Sequence, residues 1–123
     1  MRGEDQLQAN VCKYLHSALP STAWFTAIPN GTVLAGDSKA RAIQSNKLKA
    51  TGMRPGAPDL HICWEGRAIY IELKAPKGKL ADTQITTSNQ IALAGGLWTV
   101  ARSVEDVAGF LGMCGVPLKA RLT

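Results

Sequence analysis

The sequence predicts an α/β domain, and three observations carry that expectation. Apolar residues alternate at strand period on both sides of Glu65-Gly66, apolar residues recur at helical spacing in the first segment, and proline or glycine punctuates the boundaries between segments. Residues 4–19 read as a helix, with Leu7, Val11, Leu15 and Ala18 on one stripe, Glu4 and Asp5 in the first turn and Pro20 as the stop. Trp24 to Ile28 reads as a short strand ended by Pro29-Asn30-Gly31. Residues 37–51 read as a second helix capped by Asp37 or Ser38, followed by a loop, Gly52 to Pro58, rich in glycine and proline.

The clearest local signal runs from Asp59 to Lys74. Leu60, Ile62 and Trp64 alternate, then Ile69, Ile71 and Leu73, with Glu65-Gly66 as a two-residue hairpin loop. Residues 82–94 suit a helix closed by Gly95-Gly96, although the run Thr83 to Ser88 is poor helix chemistry. Leu97 to Ala101 reads as a strand and Val104 to Met113 as the closing helix. A chain of 123 residues fits a single domain spanning 1–123.

Composition removes several classes of function. Hydrophobic residues make up 46%, which suits a globular chain rather than a disordered one. No apolar run approaches the ~20 residues of a bilayer span, and the polar start MRGEDQLQ does not resemble a secretory signal. No membrane association is expected, and a cytoplasmic location is. Cys12, Cys63 and Cys114 are far apart and form no CxxC pair, so they read as structural free thiols in a reducing compartment rather than zinc ligands. The formal charge of +5 points towards a polyanion, and nucleic acid is the common one. Lys39, Arg41, Lys47, Lys49 and Arg54 form a stretch without acids, which is either a solvated helix face or a phosphate-tracking surface.

With Glu65-Gly66 as the loop, Trp64 pairs with Arg67, and counting outward puts Asp59 opposite Glu72. Opposed side chains on one face have Cβ atoms roughly 4.5–5.5 Å apart. Lys74 falls on the same face as Glu72, whereas the alternating apolar residues fall on the core face. Two facing carboxylates repel, and a hard cation such as Mg²⁺ relieves that repulsion through oxygen ligands. A Glu-x-Lys triplet alone is an ordinary strand surface. Joined to Pro58-Asp59 across one hairpin and beside a basic segment, it is far more specific. His61 and Tyr70 alternate onto the Asp59 face, where His61 would contact substrate or a group supporting the site and Tyr70 would stack or simply pack; His16 belongs to the surface or core edge.

Pro58-Asp59 followed by Glu72-Leu73-Lys74 resembles the PD-(D/E)XK nuclease signature. The stretch Gly52 to Leu60, the stretch Glu72 to Leu80 and Gln84 resemble more narrowly the VRR-NUC, or virus-type replication-repair nuclease, domain of the stand-alone phage or bacterial type. Ala94-Gly95-Gly96 and Val100 to Asp106 also follow its pattern. The resemblance implies a restriction-endonuclease-like core, a small mixed sheet flanked by helices, and an Mg²⁺- or Mn²⁺-dependent deoxyribonuclease. It implies that Asp59, Glu72 and the backbone carbonyl of Leu73 bind metal, with Glu4 on the first helix approaching the same site. Lys74 would orient or help deprotonate the attacking water, and Gln84 would hold the lysine or a phosphate. Arg54, Lys47, Lys49, Lys77 and Lys79 are the expected DNA contacts. The family also suggests a homodimer acting on branched DNA of the Holliday-junction type.

Gln84 is preceded here by Ala81-Asp82-Thr83 rather than the family's serine, proline and acid, which leaves the start of that helix open. The competing readings are a catalytically silent nucleic-acid-binding module, which gains nothing from acids facing phosphate, and a basic structural protein without metal affinity.

Overall fold

The computed structural model describes residues 3–29 and 35–119. Among these residues, four helices and four strands follow one another as α1 (Gly3–Ala18), β1 (Ala23–Ala27), α2 (Ser38–Ala50), β2 (Leu60–Trp64), β3 (Arg67–Leu73), α3 (Asp82–Leu93), β4 (Leu97–Ala101) and α4 (Val104–Met113). The strands make one mixed sheet in the order β1-β2-β3-β4, antiparallel across the first two pairings and parallel between β3 and β4. The α/β expectation holds. Each element lies within a residue of its expected bounds, and the Asn30-Gly31 part of the turn after β1 lies outside the described residues.

The hairpin forms in the expected register, with Trp64 opposite Arg67 and Leu60 opposite Ile71. Its loop residues both have positive φ, 48° at Glu65 and 75° at Gly66. That is the signature of a type I′ turn, whose twist matches the flanking strands. Alternation then sorts the side chains: Leu60, Ile62, Trp64, Ile69, Ile71 and Leu73 are all buried. They meet Val11 and Leu15 of α1 and Val107 and Leu111 of α4 in one apolar core. The chain after α4 returns along α1, where the Lys119 N–H donates to the Ala18 carbonyl at 2.8 Å.

The two remaining helices are attached differently. Neither α2 nor α3 buries a side chain fully, and Ile43 on α2 is 61% exposed. Asp37 is the N-cap of α2, its side chain accepting from Ala40 N–H at 2.8 Å, which settles the choice between Asp37 and Ser38. The cysteines do not share one environment: Cys114 is buried and Cys12 half-buried, but Cys63 is exposed. Cys63 has the same strand parity as Asp59 and His61, so its side chain leaves the core face. Among the described residues, no helix is long and apolar enough to cross a membrane.

Candidate active site

Asp59 stands one residue before β2 and is fixed from two sides. Its carbonyl accepts the Ile28 N–H at 2.8 Å, which carries the β1–β2 pairing one step further. Its Oδ2 accepts the Leu73 N–H at 2.7 Å. The carboxyl is thereby held against the end of β3, beside Glu72 as the hairpin register requires. Glu72 is only 3% exposed, although its neighbours Ile71 and Leu73 already fill the core. Its Oε1 is buried and has no hydrogen-bond partner among the described residues. Such a buried oxygen is costly unless something meets it.

Electrostatics express the same tension. The Glu72 carboxyl is pushed up to about 9, first by burial, then by its hydrogen bond to Asp59 and the Asp59 charge, with Glu4 adding a smaller push; Lys74 opposes these effects. Lys74 extends the β3–β4 pairing, its N–H donating to the Ala101 carbonyl at 3.0 Å.

These groups line one open cavity of about 520 Å³. Glu4, Asp5 and Gln8 of α1 form one side, Arg54 and Gly56 of the loop before β2 another, and Thr83 and Gln84 of α3 a third. The loop reaches α3 because residue 56 is glycine. Its φ is +81°, and a methyl group there would run into the Thr83 carbonyl. The Thr87 hydroxyl donates to the Pro55 carbonyl at 3.4 Å beside this contact.

The structure thus gathers Asp59, Glu72, Leu73, Lys74, Gln84, Arg54 and Glu4 around one space. Lys49 lines an adjoining cavity of about 420 Å³, which shares Met53, Arg54, Pro55 and Thr83 with the first. Lys47, Lys77 and Lys79 are exposed and line neither cavity. His61 lies on the Asp59 face but is stacked on Tyr70 (4.6 Å between centroids, 16° between planes) and meets Trp24 edge-on, outside the site. His16 is exposed and packs edge-on against Phe25. Gln84 has a local duty, since its Oε1 accepts the Ala81 N–H at 2.8 Å and closes the first turn of α3. That bond starts the helix where the expected serine and proline are missing.

Sequence reasoning passed over Arg102. Its Nη1 donates to the carbonyls of Ala75 and Gly78, both at 2.7 Å. The only signal in the sequence was its place in the stretch from Val100 to Asp106.

The model of the VRR-NUC domain matches residues 4–105, from the helix that carries Glu4 to the first turn of α4. The chain belongs to the VRR-NUC family. VRR-NUC is a nuclease family. A solved VRR-NUC domain protein is 18% identical, superposes with a TM-score of 0.71 and covers 92% of this chain and 88% of its own. At that identity the likeness speaks for a shared VRR-NUC fold. No curated protein sequence matches the chain.

The site suits a hard divalent cation by its donors. Asp59 and Glu72 offer carboxylate oxygens, and the unpartnered Oε1 of Glu72 is the kind of atom that a cation satisfies. Among the described residues, no group of three or more His, Cys, Asp or Glu side chains is gathered closely enough to hold a metal. Glu4 therefore reaches the cavity without joining a three-acid cluster. A carboxylate pair with a backbone carbonyl is a donor set that Mg²⁺ accepts when water fills its other positions.

Proposed function

We propose that the protein is a metal-dependent DNA endonuclease of the PD-(D/E)XK type. The observation that carries this reading is the pair Asp59 and Glu72, held side by side with one Glu72 oxygen buried and unpartnered, in the cavity that Lys74 also lines. Asp59, Glu72 and the Leu73 carbonyl would hold Mg²⁺ or Mn²⁺. A divalent cation bound there supplies Lewis acidity and offsets charge on the scissile phosphate. Lys74 orients the attacking water, helps remove its proton and stabilises the negative charge that develops on the phosphate oxygens. Gln84 keeps the first turn of α3 beside the site, and its amide nitrogen is the group left to meet a phosphate.

Arg54 and Lys49 are the cations best placed for the DNA backbone, because Arg54 lines both cavities and Lys49 the second. The substrate strand would pass from the site along the groove between the loop before β2 and α3. Lys47, Lys77 and Lys79 act at longer range, as part of the positive field.

The preferred substrate is branched DNA, cut by a homodimer. One chain carries one carboxylate pair, whereas a four-way junction presents two equivalent strands, and two-fold pairing supplies two sites in matching orientation. The test is cleavage of labelled four-way junction and linear duplex with Mg²⁺ or Mn²⁺, with EDTA as control. Metal-dependent cutting of the junction in preference to duplex is expected. DNA binding without cutting under any of these conditions would favour the silent binding module.

A further inference from the structure

We infer that Arg102 is a positioning residue for Lys74, acting through the turn that follows β3; the inference rests on the nuclease reading above. Arg102 is the first residue after β4. Its Nη1 donates to the carbonyls of Ala75 and Gly78 at 2.7 Å each, and more distantly to Pro76 at 3.5 Å. The turn is closed on itself by the Gly78 N–H, which donates to the Ala75 carbonyl at 2.9 Å. One guanidinium group therefore gathers the carbonyls of a tight turn that begins immediately after Lys74.

Arg102 is itself anchored. Its N–H donates to Asp106 Oδ2 at 2.9 Å, and Asp106 sits in the first turn of α4, where its own N–H donates to the Ser103 hydroxyl. The pinned turn in turn borders the lysine. A methyl group on Gly78 would stand 3.6 Å from Cδ of Lys74 and only 3.3 Å from the Ala75 carbonyl oxygen. The turn thus runs beside the aliphatic stem of Lys74, with Gly78 within about one methyl group of it, and that side chain lines the cavity of Asp59 and Glu72. A lysine has a long, freely rotating stem, and an ammonium that must stay beside a reacting group gains from a fixed backbone turn at its root. Arginine suits the task because its planar guanidinium holds the two Nη1 hydrogens in fixed directions, one for the Ala75 carbonyl and one for that of Gly78, which a freely rotating ammonium does poorly.

The experiment compares wild type, Arg102→Ala, Arg102→Lys, Lys74→Ala and the double variant Lys74→Ala/Arg102→Ala. Single-turnover cleavage with Mn²⁺ and DNA Kd are measured at a temperature where circular dichroism shows each folded. Arg102→Ala is expected to cut about tenfold more slowly or worse at saturating DNA, with Kd within about twofold of wild type. Arg102→Lys should fall between the two. Millimolar guanidinium should recover part of the Arg102→Ala rate and none of the Lys74→Ala rate. In the Lys74→Ala background, removing Arg102 should change the residual rate by less than about twofold, because the residue it serves is gone.

Equal fold losses in both backgrounds would overturn the inference, as would an unchanged Arg102→Ala rate. So would a loss confined to Kd with a shallower salt dependence, which marks a direct phosphate contact. If Arg102→Ala does not fold, Arg102→Lys carries the test: it should slow cleavage at unchanged Kd and lose that effect in the Lys74→Ala background, and an unaltered rate there overturns the inference equally. Failure of the wild type to cut DNA would contradict the nuclease reading and this inference together, whereas a cutting wild type with an indifferent Arg102 contradicts only the positioning role.

Discussion

At the scale of single residues, the central conflict is a carboxyl buried like a leucine. Glu72 keeps its proton up to about pH 9 because burial and Asp59 both disfavour its charge. An unfolded glutamate loses that proton near its ordinary value of 4.5. Between those pH values the folded chain binds more protons than the unfolded one, so this group's contribution to stability falls as pH rises. Glu72→Gln retains the shape and can donate to Asp59, and it should raise Tm by a margin that widens from pH 5 to pH 9. Thermal melts in EDTA across that range check it, and a margin independent of pH would contradict the burial argument. Cation binding needs the charged form and so should release a proton. Calorimetry in buffers of different ionisation enthalpy should show that release, with affinity rising as pH rises towards 9. Lys74 answers to a different measurement. Lys74→Ala should slow cleavage with little change in metal affinity, and Lys74→Arg should restore little, because a guanidinium is larger and stays protonated.

At the scale of elements, the hairpin was legible because its turn, alternation and register constrain one another. Once Glu65-Gly66 is the loop, parity alone brings Asp59 to Glu72 and sends Cys63 out of the core, a consequence that the general preference of free cysteine for the interior obscured. The attachment of α3 was much less legible. Its Thr83 to Ser88 run is unfavourable by propensity, and besides its packing on β4 the helix is held by a capping bond from Gln84 and by the approach of Gly56 to Thr83, a contact between segments far apart in sequence. Gly56→Ala should therefore cost more than its positive φ alone, which is of order 1–3 kcal/mol. It should lower Tm, weaken DNA binding and slow cleavage together, since the loop carrying Arg54 must leave α3. The basic segment divides by position. Arg54→Ala and Lys49→Ala should each reduce the salt slope of DNA binding by about one contact, and Lys47→Ala by less. Equal slopes for all three would mean that the groove beside α3 does not carry the strand.

At the scale of the whole molecule, the α/β order was readable from periodicity, while the way four strands become one mixed sheet was not. β3 and β4 are parallel, and the pairing depends on the intervening α3 returning the chain to the same end of the sheet. The return also places Arg102 over the turn after Lys74, so the overall path contributes to the site as well as the local hairpin. If the protein works as a dimer, sedimentation should give twice the 13.1 kDa of the chain at the concentrations used for cleavage. A monomer there that cuts both junction strands independently would contradict paired action. The most direct test of the central claim is single-turnover cleavage of a labelled four-way junction by wild type, Asp59→Asn and Glu72→Gln, with Mg²⁺, with Mn²⁺ and with EDTA. The account predicts cutting by the wild type only when metal is present, and none by either variant although both still bind the junction. Full cutting by either variant, or metal-independent cutting by the wild type, would contradict it.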